Sequence, residues 1–287
     1  MTHQPRLRFR DALDGSDPVF APLALDPLNA LLIEEAGFAA GYLSGGALGF
    51  QYAVGEALLT STEIAEVAAR ITARSSLPLI VDGGVGFGDP VHVARATSLF
   101  QATGAVAVEY EDQVSPKRLH HHVGVEHLLS TADMVDKIEA AVAARTDPDF
   151  LIIARTGGFR NEDFESGIAR LEAYRDAGAD LVMALARNAE LKPIAERITD
   201  VPLSTITGLD HHTPAEWAEL GWKLIIDSFT AQGLAVSHTR EAYRKFRDEG
   251  KSGFDAGGMQ LHRQLVELCG LEPWLDLERR TTERASE

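Results

Sequence analysis

Residues 108–124, with the sequence VEYEDQVSPKRLHHHVG, combine the features that indicate both a fold and a functional site. They continue an apolar run, AVAV at residues 105–108, which is typical of a buried β-strand. The acids at the end of that strand, Glu109, Glu111 and Asp112, are well placed to hold a cation. The basic, histidine-rich segment beyond them could close over an anionic substrate. The alternative is a solvated acidic turn that leads into a surface loop.

Short apolar runs alternate with helix-like segments along most of the chain. The predicted strands are residues 19–23, 40–43, 78–82, 105–109, 150–154, 181–184, 201–204 and 224–227. The predicted helices are residues 27–36, 62–74, 90–102, 131–145, 164–177, 190–198 and 214–220. Several helices end at a glycine, which readily adopts the left-handed backbone that closes a helix: Gly37, Gly104, Gly178 and Gly221. Eight strand–helix units in 287 residues predict an α/β protein with a (β/α)8 TIM barrel. A doubly wound open sheet is the alternative.

The C-terminal region exceeds what an eight-unit barrel needs. After a helix at residues 231–248 comes a glycine-rich bend, and a second amphipathic helix is predicted at residues 257–268. We therefore divide the chain into a barrel, residues 1–248, and a helical extension, residues 249–287. The second helix has an apolar face that needs a partner, and a neighbouring subunit is favoured over the chain's own barrel: Met259, Leu261, Leu265, Val266 and Leu268.

Composition narrows the class of protein. With 45% hydrophobic residues the chain can bury a large core. Its 43 acidic and 27 basic side chains give a net charge of -16, which repels phosphate backbones, so nucleic acid is not an expected partner. A small anionic substrate remains compatible, because a local basic pocket can override the overall charge. The single cysteine, Cys269, fits a reducing compartment. Since neither a signal peptide nor an apolar run of about 20 residues is visible, we expect a cytoplasmic protein that does not enter a membrane.

In a (β/α)8 barrel the site lies at the carboxyl ends of the strands. Strand 2 ends near Tyr42 and leads into Ser44-Gly45-Gly46, whose backbone N–H groups could cradle a carboxylate or phosphonate. Strand 3 ends at Asp82, which is available for a cation and is followed by glycines. Glu111 follows strand 4, and Arg155 follows strand 5 with a planar guanidinium that pairs carboxylates in a bidentate manner. Together they predict a pocket for Mg²⁺ and a doubly charged small substrate.

Each of these residues also has an ordinary structural interpretation. Asp82 and its glycines are compatible with simple turn chemistry, and an arginine alone is more often part of a structural ion pair. The triplet His120-His121-His122 suggests zinc, but three consecutive side chains do not easily face one ion, so a zinc site is not favoured.

The assembled residues resemble the isocitrate lyase/phosphoenolpyruvate mutase superfamily, in particular its 2-methylisocitrate lyase-like branch. The likeness covers about residues 7–246, and the order and spacing of its anchors are specific. These anchors are Asp26 with EEAGF at 34–38, YLSG at 42–45, GFG at 86–88, EDQ at 111–113 with PKR at 116–118, and IIART at 152–156. The resemblance implies a (β/α)8 barrel whose last helix is exchanged between subunits, in a homotetramer built as a dimer of dimers.

The resemblance also implies a chemistry. It implies Mg²⁺ and the cleavage or formation of a C–C or P–C bond next to an α-keto or α-hydroxy acid. The reaction passes through an enolate, so that charge develops where it is already neutralised. Asp82 and Glu111 are the parts of the family's metal shell that this chain retains.

The chain departs from the family pattern at several positions. Leu119 stands on the gating loop where the lyases carry an acid/base cysteine, and leucine cannot transfer a proton. Gly84 replaces the second aspartate of the strand-3 motif, and Leu185 stands where a glutamate is expected after strand 6. The acid usual after the strand-2 loop falls near Gly55 or Glu56, and the strand-7 asparagine is missing. Histidines on the expected rim could replace the lost acid/base group, because histidine titrates near neutral pH: His120, His122, His211 and His212.

The sequence therefore predicts a lyase that uses Mg²⁺ to cleave a C–C bond next to an enolate in a small α-keto or α-hydroxy dicarboxylate. Tyr42, residues 44–46, Asp82 and Arg155 would bind the substrate, and the closing loop would supply catalytic groups: Lys117, Arg118 and His121. Cleavage of the 2-methylisocitrate type and decarboxylation of the oxaloacetate type are nearly equal alternatives, with P–C chemistry of the phosphonopyruvate type third. A small-acid-binding or regulatory homologue without catalysis is an alternative of another class.

Overall fold

The computed structural model describes residues 3–254 and 258–283, without the side chains of His3 and Met259. The chain divides into two compact units, Met1–Thr230 and Ala231–Glu287. The strands are β1 (Val19–Ala21), β2 (Gly41–Leu43), β3 (Leu79–Asp82), β4 (Ala107–Glu111), β5 (Leu151–Thr156), β6 (Leu181–Ala184), β7 (Leu203–Ile206) and β8 (Leu224–Ile226).

Helices surround the strands and continue after them. The α-helices are α1 (His3–Asp14), α2 (Pro27–Glu35), α3 (Gly45–Gln51), α4 (Ser61–Thr72), α5 (Pro90–Ala102), α6 (Thr131–Ala144), α7 (Gly158–Asn161), α8 (Phe164–Asp176), α9 (Asn188–Arg197), α10 (Pro214–Leu220), α11 (Thr230–Glu249), α12 (Gly258–Leu268) and α13 (Glu272–Arg280). Two short 3₁₀ helices lie at Glu56–Leu58 and Leu119–Val123. No helix in the described ranges is both long and apolar enough to cross a membrane.

The eight strands form one parallel sheet in the order β1-β8-β7-β6-β5-β4-β3-β2. Its two outer strands also meet, through a parallel bridge between Leu23 and Tyr42. The Tyr42 N–H donates to the carbonyl oxygen of Pro22, and the Ala24 N–H donates to that of Tyr42, both at 2.9 Å. Since the sheet closes on itself, the predicted (β/α)8 barrel is confirmed and the open-sheet alternative is wrong.

The helices begin and end where the sequence supplies suitable residues. Asp26 caps α2 by accepting from the Asn29 N–H, and Asp89 caps α5 by accepting from the His92 N–H. Both helices have proline at their first position, where no intrahelical N–H is needed. Gly221 ends α10 in the left-handed conformation with φ 82°. These signals explain why the predicted helix boundaries are close to the observed ones.

Strand side chains alternate between two layers, as the two-residue period of a strand requires. Those that point into the barrel form one apolar cluster, which includes Tyr42, Ile80, Ala107, Ile153 and Met183. Those that point outward pack under the helices, and they include Leu43, Val81, Val108, Ile152 and Val182. The functional side chains described below continue the inward layer at the carboxyl ends of the strands.

Helix α1 is absent from the sequence-based prediction. Its Phe9 is fully buried in the cluster inside the barrel. The Arg6 Nε donates to the carbonyl oxygen of Ala105 at 3.0 Å, just before β4, so α1 lies at the end where the strands start. The segment is rich in arginine, and its two buried anchors, Phe9 and Leu13, are too few to produce a clear helical pattern.

The remaining differences are mostly at the ends of elements. Strand β4 continues to Glu111, two residues beyond the predicted end, because the ladder persists where the side chains that face the barrel axis become charged. Strand β7 lies two residues later than predicted. The predicted helix at residues 257–268 is observed as α12, and Gly257 lies outside the described residues. Helices α3, α7 and α13 are absent from the sequence-based prediction.

Candidate active site

Strands β3, β4 and β5 place charged side chains at one end of the barrel. Their register pairs Asp82 with Glu109 and Glu111 with Arg155. These four residues continue the inward-facing layer. The three acids are almost completely buried, with Glu109 at 0% and Glu111 at 2% exposure, and Arg155 is partly buried. Asp112 belongs to the outward-facing layer. Of the three acids that follow residue 108, Glu109 and Glu111 therefore face the barrel interior, whereas Asp112 faces the surrounding helices.

Arg155 is held between two of the acids. Its Nη1 donates to Glu109 Oε1 at 3.3 Å, and its Nη2 lies 2.9 Å from Glu111 Oε2. The Gln113 Nε2 donates to the same Glu111 oxygen at 3.0 Å. Below this level, the Tyr42 hydroxyl donates to Glu109 Oε2 at 2.5 Å. Burial raises the pKa of Glu109 to about 8 against the opposing effect of Arg155, and the Asp82 and Glu111 carboxylates add to the increase.

Asp82 is fixed by backbone donors from two loops. Its Oδ2 accepts from the Gly45 N–H at 2.8 Å and its Oδ1 accepts from the Gly84 N–H at 2.9 Å. Burial raises the pKa of Asp82, and the nearby Glu56 carboxylate adds to this increase. The backbone N–H of Gly84, which stands where the family pattern has a second aspartate, therefore helps to orient Asp82.

The histidine-rich loop folds down onto this cluster. Lys117 Nζ makes ion pairs with Glu56 Oε1 and Glu111 Oε1. Burial alone would raise the pKa values of Glu56 and Glu111. The neighbouring cations together outweigh it, Lys117 first among them with His121 beside Glu56 and Arg155 beside Glu111, so both pKa values are lowered. Burial would also lower the pKa of Lys117, but the two glutamates reverse this and raise it. The ammonium is therefore the counter-ion of the acid pair.

His121 extends the contact between the loop and the cluster. Its Nε2 lies 3.1 Å from Glu56 Oε2, and its Nδ1 lies 2.9 Å from the carbonyl oxygen of Arg118. Burial lowers the pKa of His121, but the hydrogen bonds to Glu56 and to the Arg118 carbonyl, with the Glu56 charge, together outweigh it, so the pKa is raised. The Arg118 side chain is exposed. Leu119 packs on Gly55, where an added Cβ would come within 2.7 Å of its Cδ2.

The other predicted rim histidines occupy separate positions. His122 accepts from the Glu56 N–H at 3.3 Å and lies against Phe50. The ring of His120 lies near that of His127, with centroids 6.1 Å apart. His211 and His212 pack against each other beside a buried tryptophan, Trp217. Among these four, only His122 bonds to a residue of the acid cluster, and it accepts from the backbone N–H of Glu56.

The small-residue turn after β2 is partly used by the protein itself. Ser44 is buried, and its Oγ accepts from the Ala47 N–H at 3.2 Å, which caps α3. The Gly45 N–H is already donated to Asp82. The Gly46 N–H, at the first turn of α3, is not used by these two bonds. The predicted anion cradle at residues 44–46 therefore has fewer available donors than the sequence suggests.

The acid cluster fits Mg²⁺ by the chemistry of its donors. Asp82, Glu111 and Glu56 offer only carboxylate oxygens, which are ligands that Mg²⁺ prefers. Glu111 Oε1 is buried and accepts no hydrogen bond of normal geometry, although the Lys117 charge lies beside it. In the present arrangement no three His, Cys, Asp or Glu side chains of the described residues converge as a metal site does. In this arrangement Lys117 Nζ lies between Glu56 Oε1 and Glu111 Oε1.

Asp112 forms a structural network instead. Its carboxylate accepts from the Thr156 hydroxyl at 2.6 Å, the Gly157 N–H at 2.9 Å and the Tyr174 hydroxyl at 2.8 Å. The Arg170 Nη1 donates to it at 3.2 Å. The network connects the end of β4 to the end of β5, so it helps to hold the neighbouring Glu111 and Arg155 side by side.

The fold and the site define a (β/α)8-barrel protein with a buried acid cluster and an arginine at the carboxyl ends of β3, β4 and β5. The chain belongs to the phosphoenolpyruvate phosphomutase family, whose sequence profile matches residues 9–247. The superfamily predicted from the motifs is thereby confirmed.

Individual relatives cover nearly the whole chain. The chain is 33% identical over 286 residues to 2-methylisocitrate lyase of Aeropyrum pernix. The alignment covers 98% of this chain and 91% of that protein. The crystal structure of 2,3-dimethylmalate lyase matches with a TM-score of 0.86 and 30% identity, over 99% of this chain and 98% of that one. A phosphonopyruvate hydrolase complex with oxalate and Mg²⁺ matches with a TM-score of 0.88 and 30% identity, over 97% and 99%.

Proposed function

We propose that this protein is a carbon–carbon lyase that acts on a small α-keto or α-hydroxy dicarboxylate with Mg²⁺. The observation that carries the proposal is the Arg155 guanidinium, which Glu109 and Glu111 hold on the rim that also carries Asp82. Two of its five N–H groups serve these acids, and the others can pair with a substrate carboxylate. The lyases among the relatives support this substrate class.

Asp82 and Glu111 would hold Mg²⁺. The ion would supply positive charge beside the substrate oxygen that becomes negative as the bond breaks. Lys117 would leave the acid pair when the ion binds and would then face the substrate. Tyr42 would act through Glu109, because its hydroxyl is already donated to that carboxylate. Gly45 would orient Asp82 through its N–H in the same indirect way.

The loop would supply the proton that the family's cysteine supplies elsewhere. Since Leu119 cannot transfer a proton, His121 is the best candidate, because Glu56 favours its protonated form. Arg118 would add positive charge from the same loop. Ser44 and Gly46, at the start of α3, would contact the second acid group of the substrate.

Turnover of defined acids tests the proposal. 2-Methylisocitrate, oxaloacetate and phosphonopyruvate are incubated with Mg²⁺ or with EDTA, and products are followed by mass spectrometry. We expect C–C cleavage of at least one carbon acid, which EDTA and Asp82→Ala abolish. A matched control, Asp136→Ala, alters an exposed aspartate on α6 and should keep full activity.

Other outcomes of the same panel support different functions. Turnover of phosphonopyruvate alone would support P–C chemistry, which the similarity to phosphonopyruvate hydrolase makes the nearest alternative. Ligand-induced stabilisation without any product would support an inactive small-acid-binding homologue. Either result contradicts the lyase assignment.

The assembly is part of the proposal. We infer a cytoplasmic homotetramer, a dimer of dimers, in which the extension at residues 249–287 packs on a neighbouring subunit and the last barrel helix is exchanged. Large apolar side chains of α11 and α13 support this, because they are exposed in the single chain: Phe246 at 61% and Trp274 at 61%. Light scattering should give a tetramer mass, and Trp274→Glu should lower it while the control Glu283→Gln should not.

A further inference from the structure

A cavity of about 400 Å³ opens directly beside the acid cluster. Gly45, Asp82 and Lys117 line it and also belong to the cluster or hold it in place. Its other walls come from the start of α4, from the loop between β3 and α5, and from the closing loop at Ser115 and Pro116. All of these residues belong to the first compact unit, Met1–Thr230.

Away from the cluster the lining is mainly uncharged. It includes the buried side chains of Leu59, Ile64 and Val85, together with the hydroxyl-bearing Thr60 and Ser61 at the start of α4. His92 is the one histidine of the lining, and its Nδ1 already lies 2.6 Å from Asp89. Beyond Lys117, the described residues of the lining include no lysine or arginine that could receive a second acid group. An anionic extension would therefore be buried without a paired cation, whereas an uncharged one needs none.

Phe87 contributes the far wall in an unusual backbone conformation. Its φ is 63°, which is costly for a bulky side chain, and residues in such conformations concentrate at functional sites. Its ring lies near that of Phe100, with centroids 6.1 Å apart. The aromatic wall is therefore positioned by the structure around it.

We propose that this cavity receives an uncharged alkyl or aryl substituent of the substrate. The inference rests on the proposed function, since it assumes that the acid groups of the same molecule are held at Arg155 and at the Ser44–Gly46 turn. The substrate would then be a substituted α-hydroxy or α-keto diacid with a group larger than methyl. A dry cavity of about 150 Å³ already accepts benzene, so the volume here admits a group of about six carbons.

Binding of a homologous series tests the inference. The probes are oxalate, 2-methylmalate, 2-butylmalate and 2-benzylmalate, each titrated with Mg²⁺ by calorimetry. Each buried methylene should tighten binding about fourfold, so the wild-type protein should bind 2-butylmalate several tens of times more tightly than 2-methylmalate. Ser61→Phe fills the cavity and should remove this gain while oxalate still binds. The matched control Thr62→Phe adds the same ring at the next, exposed position and should keep the gain.

The series separates failure of this inference from failure of the proposed function. If oxalate binds with Mg²⁺ but 2-butylmalate binds no better than 2-methylmalate, the cavity assignment is wrong and the proposed function survives. If oxalate does not bind, the proposed function itself fails. A wild-type preference that Ser61→Phe leaves intact would also overturn the assignment, because the substituent would then bind elsewhere. The wild-type series decides the question even if Ser61→Phe does not fold.

Discussion

Replacement of Arg170 by methionine removes a buried cation that the site needs only indirectly. The Arg170 Nη1 donates to Asp112 at 3.2 Å, its Nε donates to Glu162 at 2.7 Å, and its Nη2 donates to the carbonyl oxygen of Leu129 at 3.0 Å. The exposure of the side chain is 6% for Arg170 and 0% for Asp112. Methionine retains much of the apolar volume, so the change mainly isolates the loss of the charge.

The size of the effect follows from what remains around Asp112. Loss of one partner of a buried ion pair typically costs about 3 to 5 kcal/mol. Asp112 keeps three neutral donors, and burial raises its pKa so that the carboxyl can take up a proton. We therefore expect the lower value, about 3 kcal/mol. At about 2.1 cal/mol/K per residue over the 230 residues of Met1–Thr230, this corresponds to a decrease in Tm of roughly 6 °C.

Scanning calorimetry at neutral pH measures this decrease. The matched control is Arg197→Met, because Arg197 pairs with Glu165 on the surface, where the two side chains are 47% and 71% exposed. Exposed pairs contribute less than about 1 kcal/mol, so the control should melt within roughly 2 °C of the wild type. Addition of Asp112→Asn to Arg170→Met should recover part of the loss, since no buried charge is then left unpaired.

Two results would refute this reasoning. Arg170→Met could melt as close to the wild type as Arg197→Met does, which would show that the network around Asp112 is not stabilised by the buried cation. The double variant could also be no more stable than Arg170→Met, which would show that an unpaired carboxylate is not the cause of the loss.

Three further predictions follow from the cluster. Glu109 has a pKa of about 8 in the folded protein against an ordinary 4.5, so between these values the native state retains a proton that the unfolded chain releases. The free energy of unfolding should therefore fall as the pH rises from about 5 to about 9. Urea unfolding at these two pH values should show this decrease in the wild type and not in Glu109→Gln. Gly49→Ala places a Cβ 2.7 Å from the Glu56 backbone nitrogen and should cost about 1 to 3 kcal/mol in thermal unfolding, whereas Gly208→Ala, with open space around it, should be nearly neutral. Lys117→Met removes the ammonium that competes for the acid pair, so calorimetry should find Mg²⁺ binding tighter by roughly tenfold, and weaker binding would contradict the metal assignment.

The convergence of Asp82, Glu111 and Arg155 could be predicted because it depends only on topology. Parallel strands in a closed barrel bring their carboxyl ends to one rim, so any charged residue at a strand end is a candidate for the same site. The order of the elements and the caps were readable from short local patterns. Helix α1, which buries Phe9 inside the barrel, could not be predicted in this way. The burial of Phe9 depends on the open end of a barrel that distant strands form.

The two roles of the acids after residue 108 show what local patterns omit. Alternate residues of a strand face opposite sides, so Glu109 and Glu111 share the interior while Asp112 faces Arg170 outside. The predicted strand ends at residue 109, because the apolar run of residues 105–108 stops just before it. A strand that continues through acidic residues indicates that cationic side chains lie inside the barrel, since buried carboxylates need paired positive charges. One of those cations, Lys117, belongs to the loop after β4. No local sequence pattern reveals that it forms ion pairs with Glu56 and Glu111.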